Sequence, residues 1–133
     1  MMLASLYSFL TDTDAITTLV STRIYPGGAP RGESRPWVTF DKTGGAAEQA
    51  MSGPTDLSVA RVRITSWADS LEDAVIVASA INGALDGKTG TVGSHYVQGA
   101  FRDNETSGIA PLDDNSDVVV DFVAQDFEIW YQT

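Results

Sequence analysis

The chain has 133 residues, 43% hydrophobic and 20% charged, which is typical of one folded domain and argues against wholesale disorder. It contains no cysteine, and this excludes disulfides, thiolate metal sites and cysteine nucleophiles. Eighteen acidic against eight basic residues give a net charge of −10, which disfavours a DNA-binding face, because lysine and arginine must replace the counterions of phosphates.

The first part of the chain predicts helices followed by short strands. Apolar side chains recur at helical spacing on both sides of a break at residues 11–14, so we expect a helix or a pair of helices. Residues 23–26 predict a brief extended segment, and residues 37–42 predict a strand that begins after Pro36. Residues 44–55 contain three glycines and Pro54, which predicts a long connection.

The clearest pattern is a change of period between Ala60 and Leu85. Ala60, Val62 and Ile64 alternate with polar residues, which is typical of a half-buried strand. From Leu71 onward the apolar residues recur at helical spacing; they are Leu71, Val75, Ala78, Ile81 and Leu85. Ser70 precedes this helix as a predicted N-cap, with Asp73 in the first turn. The sequence therefore predicts a strand that runs into a helix packed back on it.

The last third of the chain predicts two strands and a loop after the helix. Asp86 and Gly87 predict the end of the helix, since glycine adopts the left-handed conformation at no steric cost. Residues 91–101 predict a weaker strand, residues 102–117 a polar loop, and residues 118–131 a long strand. Within the long strand the apolar positions change from even to odd numbers. This change predicts a β-bulge near residues 124–126, or a first half buried on both faces.

No pattern in the sequence predicts catalysis or ligand binding. Residues 83–89 resemble a phosphate loop, but they follow a helix where such a loop precedes one. Asp113, Asn115 and Asp117 match the start of a calcium loop, but the required glycine and glutamate are missing. His95 is the only histidine. We therefore expect no enzymatic activity, no cofactor and no metal.

Two groups of side chains are open to a structural or an assembly interpretation. Arg61 and Arg63 share one face of a predicted strand, where they could neutralise carboxylates of an adjacent strand or of a neighbouring copy. Large rings at strand positions fill either a core or an interface. In this chain those rings are Trp37, Trp67, Trp130 and Tyr131.

The order of several segments resembles one protein family over almost the whole chain. After the N-terminal helices come Arg23-Ile24-Tyr25-Pro26, Pro36-Trp37-Val38-Thr39-Phe40, Val62-Arg63-Ile64-Thr65-Ser66-Trp67 leading into the helix at Ser70, and Phe127-Glu128-Ile129-Trp130-Tyr131. This order resembles the tail-completion family of tailed phages and of phage-like particles such as gene transfer agents, whose members act as tail terminators. The resemblance implies one α+β domain over residues 1–133, with a mixed or antiparallel β-sheet covered by helices on one face.

The resemblance also implies a role in assembly. It implies a homo-hexameric ring that caps the tail tube, between the major tail tube protein and the head-side connector or stopper protein. DNA would pass through the ring without specific binding, and roughly sixty negative charges from six copies would repel its phosphates if they faced the channel. It places the protein in the tail or neck of a virion or phage-like particle assembled in the bacterial cytoplasm. No apolar run is long enough for a membrane span, and no basic region precedes the first apolar residues, so we expect no membrane partner and no secretory signal.

We expect the contacts between proteins to lie on the long connections and on the arginine face. The candidate assembly residues are Arg61, Arg63, Gly44, Gly45, Glu48, Met51, Arg102, Asp113 and Asp114. Three alternatives remain open: another neck component such as a head-closure or connector protein, a small ligand-binding α+β module, and a small hydrolase that uses carboxylates and a metal.

Overall fold

A computed structural model describes the backbone of residues 2–21, 23–27, 36–50, 53–92, 95–111 and 119–132. The helices are α1 (Met2–Asp12), α2 (Asp14–Val20) and α3 (Leu71–Leu85). The strands are β1 (Ile24–Pro26), β2 (Trp37–Ala50), β3 (Gly53–Ala68), β4 (Gly90–Val92), β5 (His95–Pro111) and β6 (Val119–Gln132). In the part of the chain that the structure describes, no helix combines the length and apolarity needed to cross a membrane.

The six strands form one mixed sheet in the order β1-β2-β3-β6-β5-β4. β1 is parallel to β2, and every other neighbouring pair is antiparallel. β6, the last strand along the chain, therefore lies in the middle of the sheet between β3 and β5. This topology confirms the α+β class and selects the mixed sheet. That helices cover one whole face of the sheet stays a prediction.

The hydrophobic core lies between the helices and alternate residues of the strands. On β3, Ala60, Val62 and Ile64 are fully buried, whereas Arg61 and Arg63 between them are exposed. All three helices contribute to this core, through Leu6, Leu10, Ile16, Val20, Val77, Ile81 and Leu85. Burial of each such large apolar side chain contributes roughly 1.5–3 kcal/mol, so the alternation on β3 fixes which face of the sheet is internal.

The predicted change from strand to helix is confirmed. β3 ends and α3 begins on either side of Ser70, whose Oγ accepts a hydrogen bond from the backbone N–H of Asp73 at 3.2 Å. The buried face of α3 consists of Ala74, Val77, Ala78, Ile81 and Leu85. Leu71 and Val75, the first two members of the predicted apolar series, are 47% and 46% exposed. The helix is therefore rotated so that part of its apolar surface faces solvent.

The long connection predicted at residues 44–55 is wrong where the structure describes it. β2 continues to Ala50, β3 begins at Gly53, and the two strands pair as an antiparallel hairpin. The register shift between Lys42 and Gly44 accommodates an extra residue in β2, and the shift between Ala47 and Gln49 accommodates extra residues in β3. Glycine and alanine have low strand propensity, but antiparallel pairing with β3 satisfies the N–H and C=O groups that face it whatever the side chains.

The predicted loop at residues 102–117 is also wrong in its first part. β5 runs to Pro111, and residues 112–118 lie outside the described residues. The side chains of residues 101–107 are exposed, although they alternate between the two faces of the sheet. Polar residues therefore fit both faces, which removes the alternation that identifies a strand. The strand predicted at residues 91–101 is divided between β4 and β5.

The bulge predicted near residues 124–126 is wrong, and the alternative explanation holds. β6 pairs with β3 without a register break, and the shifts in this half of the sheet lie in β5. Val120 and Val123, on opposite faces of β6, are 1% and 3% exposed. The first half of β6 is therefore buried on both faces.

Candidate assembly surfaces

One face of the sheet carries a band of paired charges, which we call the charged face (Asp41, Arg61, Arg63, Asp126 and Glu128). Arg63 Nε donates to Asp126 Oδ1 at 2.8 Å, and Arg63 Nη2 donates to Asp126 Oδ2 at 3.2 Å. Arg61 Nε lies 3.6 Å from Glu128 Oε2. Both arginines thus contact carboxylates of an adjacent strand of their own chain. Their contact with a neighbouring copy stays a prediction.

The two-pronged bond between Arg63 and Asp126 changes the acid–base properties of both groups. The hydrogen bond from Arg63 lowers the pKa of Asp126, although partial burial acts in the opposite direction. The same hydrogen bond raises the pKa of Arg63. The side chains are 52% and 25% exposed for Arg63 and Asp126, so solvent screens the pair and limits it to at most about 1 kcal/mol.

Aromatic rings cover the same face of the sheet at the end where β6 begins. The rings of Trp37 and Trp67 stack with centroids 6.4 Å apart, and Phe122 lies 5.3 Å from Trp67. Trp67 Nε1 donates to Thr39 Oγ1 at 3.0 Å, which satisfies the indole N–H within the chain. Trp37 is buried, whereas Trp67 and Phe122 are half-buried. These rings therefore pack largely against one another, and their role in an interface stays a prediction.

Both outer strands of the sheet are short, so the strands next to them are only partly covered. β1 pairs with residues 38–40 of β2, which leaves residues 41–50, the β2 edge, without a strand on their outer side in the described part of the chain. β4 pairs with residues 95–97 of β5. The turn after α3 covers the next stretch, because Gly87 N–H donates to the Ala100 carbonyl at 2.6 Å and Asp86 Oδ1 accepts from Arg102 N–H at 3.0 Å.

Residues 103–111, the β5 edge, have no described strand beyond them. An unpaired edge presents rows of backbone donors and acceptors and is a template for pairing with another chain. Each side of the sheet therefore has an uncovered segment next to its short outer strand, on β2 at one side and on β5 at the other.

A pocket of about 210 Å³ lies between α3 and the pair β5 and β6; we call it the α3–β5 pocket. It is lined by Val75, Ala78, Ser79, Asn82, Gly83, Arg102, Glu105, Val123 and Gln125. Pockets for small-molecule ligands typically enclose about 300–1,000 Å³, so this one suits a single side chain better.

The pocket contains a chain of hydrogen bonds from Arg102 through Glu105 to Gln125, and two buried side-chain oxygens without a partner among the described residues. Arg102 Nη1 donates to Glu105 Oε1 at 3.2 Å. Gln125 Nε2 donates to the same Oε1 and to the Ala78 carbonyl, each at 3.1 Å. Among the residues that the structure describes, Gln125 Oε1 and Asn82 Oδ1 are buried and accept no hydrogen bond. The pocket therefore presents the exposed carboxylate of Glu105 to a donor from outside, and the two unpaired oxygens lie behind it.

The structure separates the residues that the sequence suggested for assembly. Arg61 and Arg63 lie on the charged face, whereas Arg102 lies on β5 beside the α3–β5 pocket. The backbone of Gly44, Gly45 and Glu48 belongs to β2, on the β2 edge. The remaining three candidates, Met51, Asp113 and Asp114, fall outside the described residues.

Gln125 is a pocket residue that the sequence reasoning missed. It is fully buried, and it stands in β6 among apolar residues that are also buried. The sequence does contain a signal for it: Gln125 stands between Val123 and Phe127 at the two-residue spacing of one strand face. A polar side chain buried on that face needs hydrogen-bond partners.

The part of the chain that the structure describes holds no group of three or more metal-ligating side chains. The segment compared with a phosphate loop leaves α3 at Leu85, and Gly87 takes a φ of 78° in the turn that follows. Its amides therefore do not form the start of a helix, where phosphate groups bind.

Comparison with known proteins gives one family and one fold. The family described as "Tail completion protein gp17" has a model that matches residues 4–125 of this chain. No curated protein matches the sequence. A solved chain from the "Virion of native gene transfer agent (GTA) particle" is 18% identical, with a TM-score of 0.74 over 98% of this chain and 93% of that chain. At this identity the likeness establishes a shared fold.

Proposed function

Because the family model matches most of its length, the chain belongs to the tail completion protein gp17 family, and we propose that it ends the tail tube of a phage or phage-like particle as a homo-hexameric ring. In this role the protein is structural and carries out no catalysis. The match over residues 4–125 is the observation that carries the proposal. The particle in which a chain of the same fold is found supports the same assignment.

The two uncovered strand edges support closure of a ring. The β2 edge and the β5 edge belong to different strands on opposite sides of the sheet. A contact between the β2 edge of one copy and the β5 edge of the next is head-to-tail, so it repeats in one direction until rotation closes it. In such a contact each uncovered edge pairs with a short outer strand of the neighbouring copy, and strand pairing is a strong and directional form of contact between chains.

The ring lies between the major tail tube protein and the head-side connector or stopper protein, and DNA passes through it. The charged face carries three carboxylates and two guanidinium groups. If this face lines the channel, it adds little net charge per copy, and most of the −10 of the chain lies elsewhere. Repulsion of DNA by the channel wall therefore rests on residues other than these five.

The proposal is tested with purified protein and tail tubes assembled from the tube protein. Light scattering and native mass spectrometry measure the number of copies, and negative-stain images show whether six-fold rings sit at tube ends. We expect tubes to stop growing where a ring binds. Protein that never binds a tube end refutes the proposal, and cross-links in particles only to proteins on the head side establish the alternative neck role. A free monomer is compatible with the proposal when rings form at tube ends.

A further inference from the structure

We propose that, in the ring inferred above, Lys42 of one copy enters the α3–β5 pocket of the next copy and donates hydrogen bonds to the acceptors there. The inference rests on the proposed ring and names the side chain and the pocket that hold neighbouring copies together. Lys42 is exposed on the β2 edge, and among the described residues its side chain has neither an ion pair nor a hydrogen bond.

The uncovered edges of two copies fit together because the short outer strands lie at different levels of the sheet. Traced through the strand register, β1 is level with Ile64–Ser66 of β3. Traced through β6, β4 is level with the other end of β3, near Leu57 and Ser58. When two sheets lie side by side, β4 of one copy and β1 of the next can therefore occupy one shared strand position without overlap.

This arrangement brings Lys42 beside Arg102 and Glu105 of the neighbouring copy. Within one copy Lys42 is paired with Val62, and Arg102 is level with the same residue through β6. Glu105 pairs with Gln125, two residues farther along the sheet. With one strand position between β5 and the next β2, the two backbones are about 10 Å apart, because neighbouring strands are spaced by about 4.8 Å.

Lys42 and Glu105 also share a face of the continued sheet. Lys42 lies opposite Val62, and Glu105 lies opposite Gln125; both of these partners point into the core side of the sheet. The α3–β5 pocket opens on that side, since α3 forms one of its walls. A lysine side chain that leaves the β2 edge on this face therefore extends toward the pocket of its neighbour.

The chemistry of the pocket matches an ammonium group. Lysine has three N–H donors and no acceptor, and the pocket holds the carboxylate of Glu105 with the unpaired oxygens of Gln125 and Asn82. Glu105 is the exposed member, so the ammonium meets it first. The amide oxygens of Gln125 and Asn82 are buried behind the pocket surface. They accept hydrogen bonds from the ammonium group if the pocket side chains move apart to let it in. Arg102 is already neutralised by Glu105, and a second cation on the same carboxylate forms a three-membered ion pair.

Charge reversal tests the contact. Lys42→Glu should reduce the fraction of protein in rings at tube ends by roughly tenfold or more, because it places a carboxylate against Glu105. Glu105→Lys should act similarly, and the double variant should restore ring formation. Lys88→Glu is the matched control, since it makes the same change in net charge at a lysine that lies over the ring of Phe9 in its own chain, 5.5 Å from the ring centroid. Urea midpoints of all variants show that each one is folded.

A cross-link provides a second readout that does not depend on reversed charges. The chain has no cysteine, so Lys42→Cys with Ser79→Cys introduces the only two thiols. Ser79 is exposed and lines the pocket. In assembled rings a short bismaleimide should give a ladder of linked copies that ends at six. The pair Lys88→Cys with Ser79→Cys should give no ladder.

The two levels of the proposal fail in different ways. Wild-type protein that forms no rings and binds no tube ends refutes the proposed function. If the wild type forms rings and Lys42→Glu forms them equally well, this inference is wrong and the proposed function stands. The same holds if rings of the Lys42→Cys and Ser79→Cys double variant give no ladder. Loss of rings in both charge variants without rescue in the double variant also overturns it.

Discussion

The fully buried amide of Gln125 predicts a small loss of stability for one substitution and a large loss for another of similar size. Its Nε2 donates to the Ala78 carbonyl and to Glu105 Oε1, both at 3.1 Å. Because both partners can only accept, the orientation of the amide is fixed and Oε1 is the atom left over. Within the described part of the chain this oxygen accepts no hydrogen bond.

Gln125→Met should lower the free energy of unfolding by about 1 kcal/mol, and by no more than about 3 kcal/mol. The variant loses one neutral hydrogen bond worth about 1 kcal/mol and one to a carboxylate worth about 1.5–3 kcal/mol. It also removes a buried oxygen without a partner, which costs about 1–3 kcal/mol in the wild type. Glu105 keeps its bond from Arg102, so no charge is left unpaired. The gain offsets most of the losses and leaves a net cost of about 1 kcal/mol.

Gln125→Glu should be destabilising by about 3–5 kcal/mol at pH 7, because it buries a carboxylate against a carbonyl and the carboxylate of Glu105. Burial and the neighbouring charge both raise the pKa of the new carboxyl in the folded state. A raised folded pKa destabilises only above the unfolded pKa of about 4.3, so the loss should shrink as the pH falls toward that value.

Urea unfolding followed by tryptophan fluorescence measures both variants, since the chain has three tryptophans. The titrations are run at pH 7 and pH 5 with the wild type as reference. Loss of more than about 3 kcal/mol in Gln125→Met would refute the reasoning, because it would mean that both amide atoms are well paired. Equal losses in Gln125→Glu at the two pH values would refute the buried carboxylate.

Three further predictions concern single contacts, each measured by urea unfolding. Asp126→Asn should cost at most about 1 kcal/mol at pH 7. Because the bond from Arg63 lowers the folded pKa of Asp126, the wild type should lose this stability as the pH falls below about 4, and an equal loss in the variant would contradict the ion pair. Ser70→Ala should cost about 1 kcal/mol and Ser70→Asp should restore it, since either side chain can cap α3; equal stability of Ser70→Ala and the wild type would contradict the cap. Trp67→Phe and Thr39→Val should each cost about 0.5–1.5 kcal/mol and should couple in a double-mutant cycle, whereas additive costs would mean that their 3.0 Å bond contributes nothing.

The sequence predicted the elements whose pattern is local. The turn from β3 into α3 is encoded by the alternation up to Ile64 and by the cap at Ser70, and both lie within a few residues of the change. The end of α3 is encoded in the same way by Asp86 and Gly87. A short segment contains all the information that such features require.

Features that depend on distant residues were beyond the sequence. The β2 edge holds glycines and alanines that form a strand because β3 pairs with them, not because of their propensity. The polar first part of the loop predicted at residues 102–117 is a strand because β6 pairs with it. Phe122 lies on the face of the sheet opposite the core, where its ring packs against Trp67 of another strand. The α3–β5 pocket is formed by α3, β5 and β6 together, so it could not be predicted from the pattern of any one segment.

The central place of β6 has a consequence for how the protein is made. Among the described strands, Leu57 of β3 pairs with Gln132 of β6, β5 joins the rest of the sheet only through β6, and β4 joins it only through β5. A nascent chain therefore cannot complete its sheet until residues 119–132 have left the ribosome. The entropy of closing such long loops is lost before their contacts form, which slows folding relative to a domain built from local contacts. The sheet of each copy is therefore complete only after synthesis has passed β6.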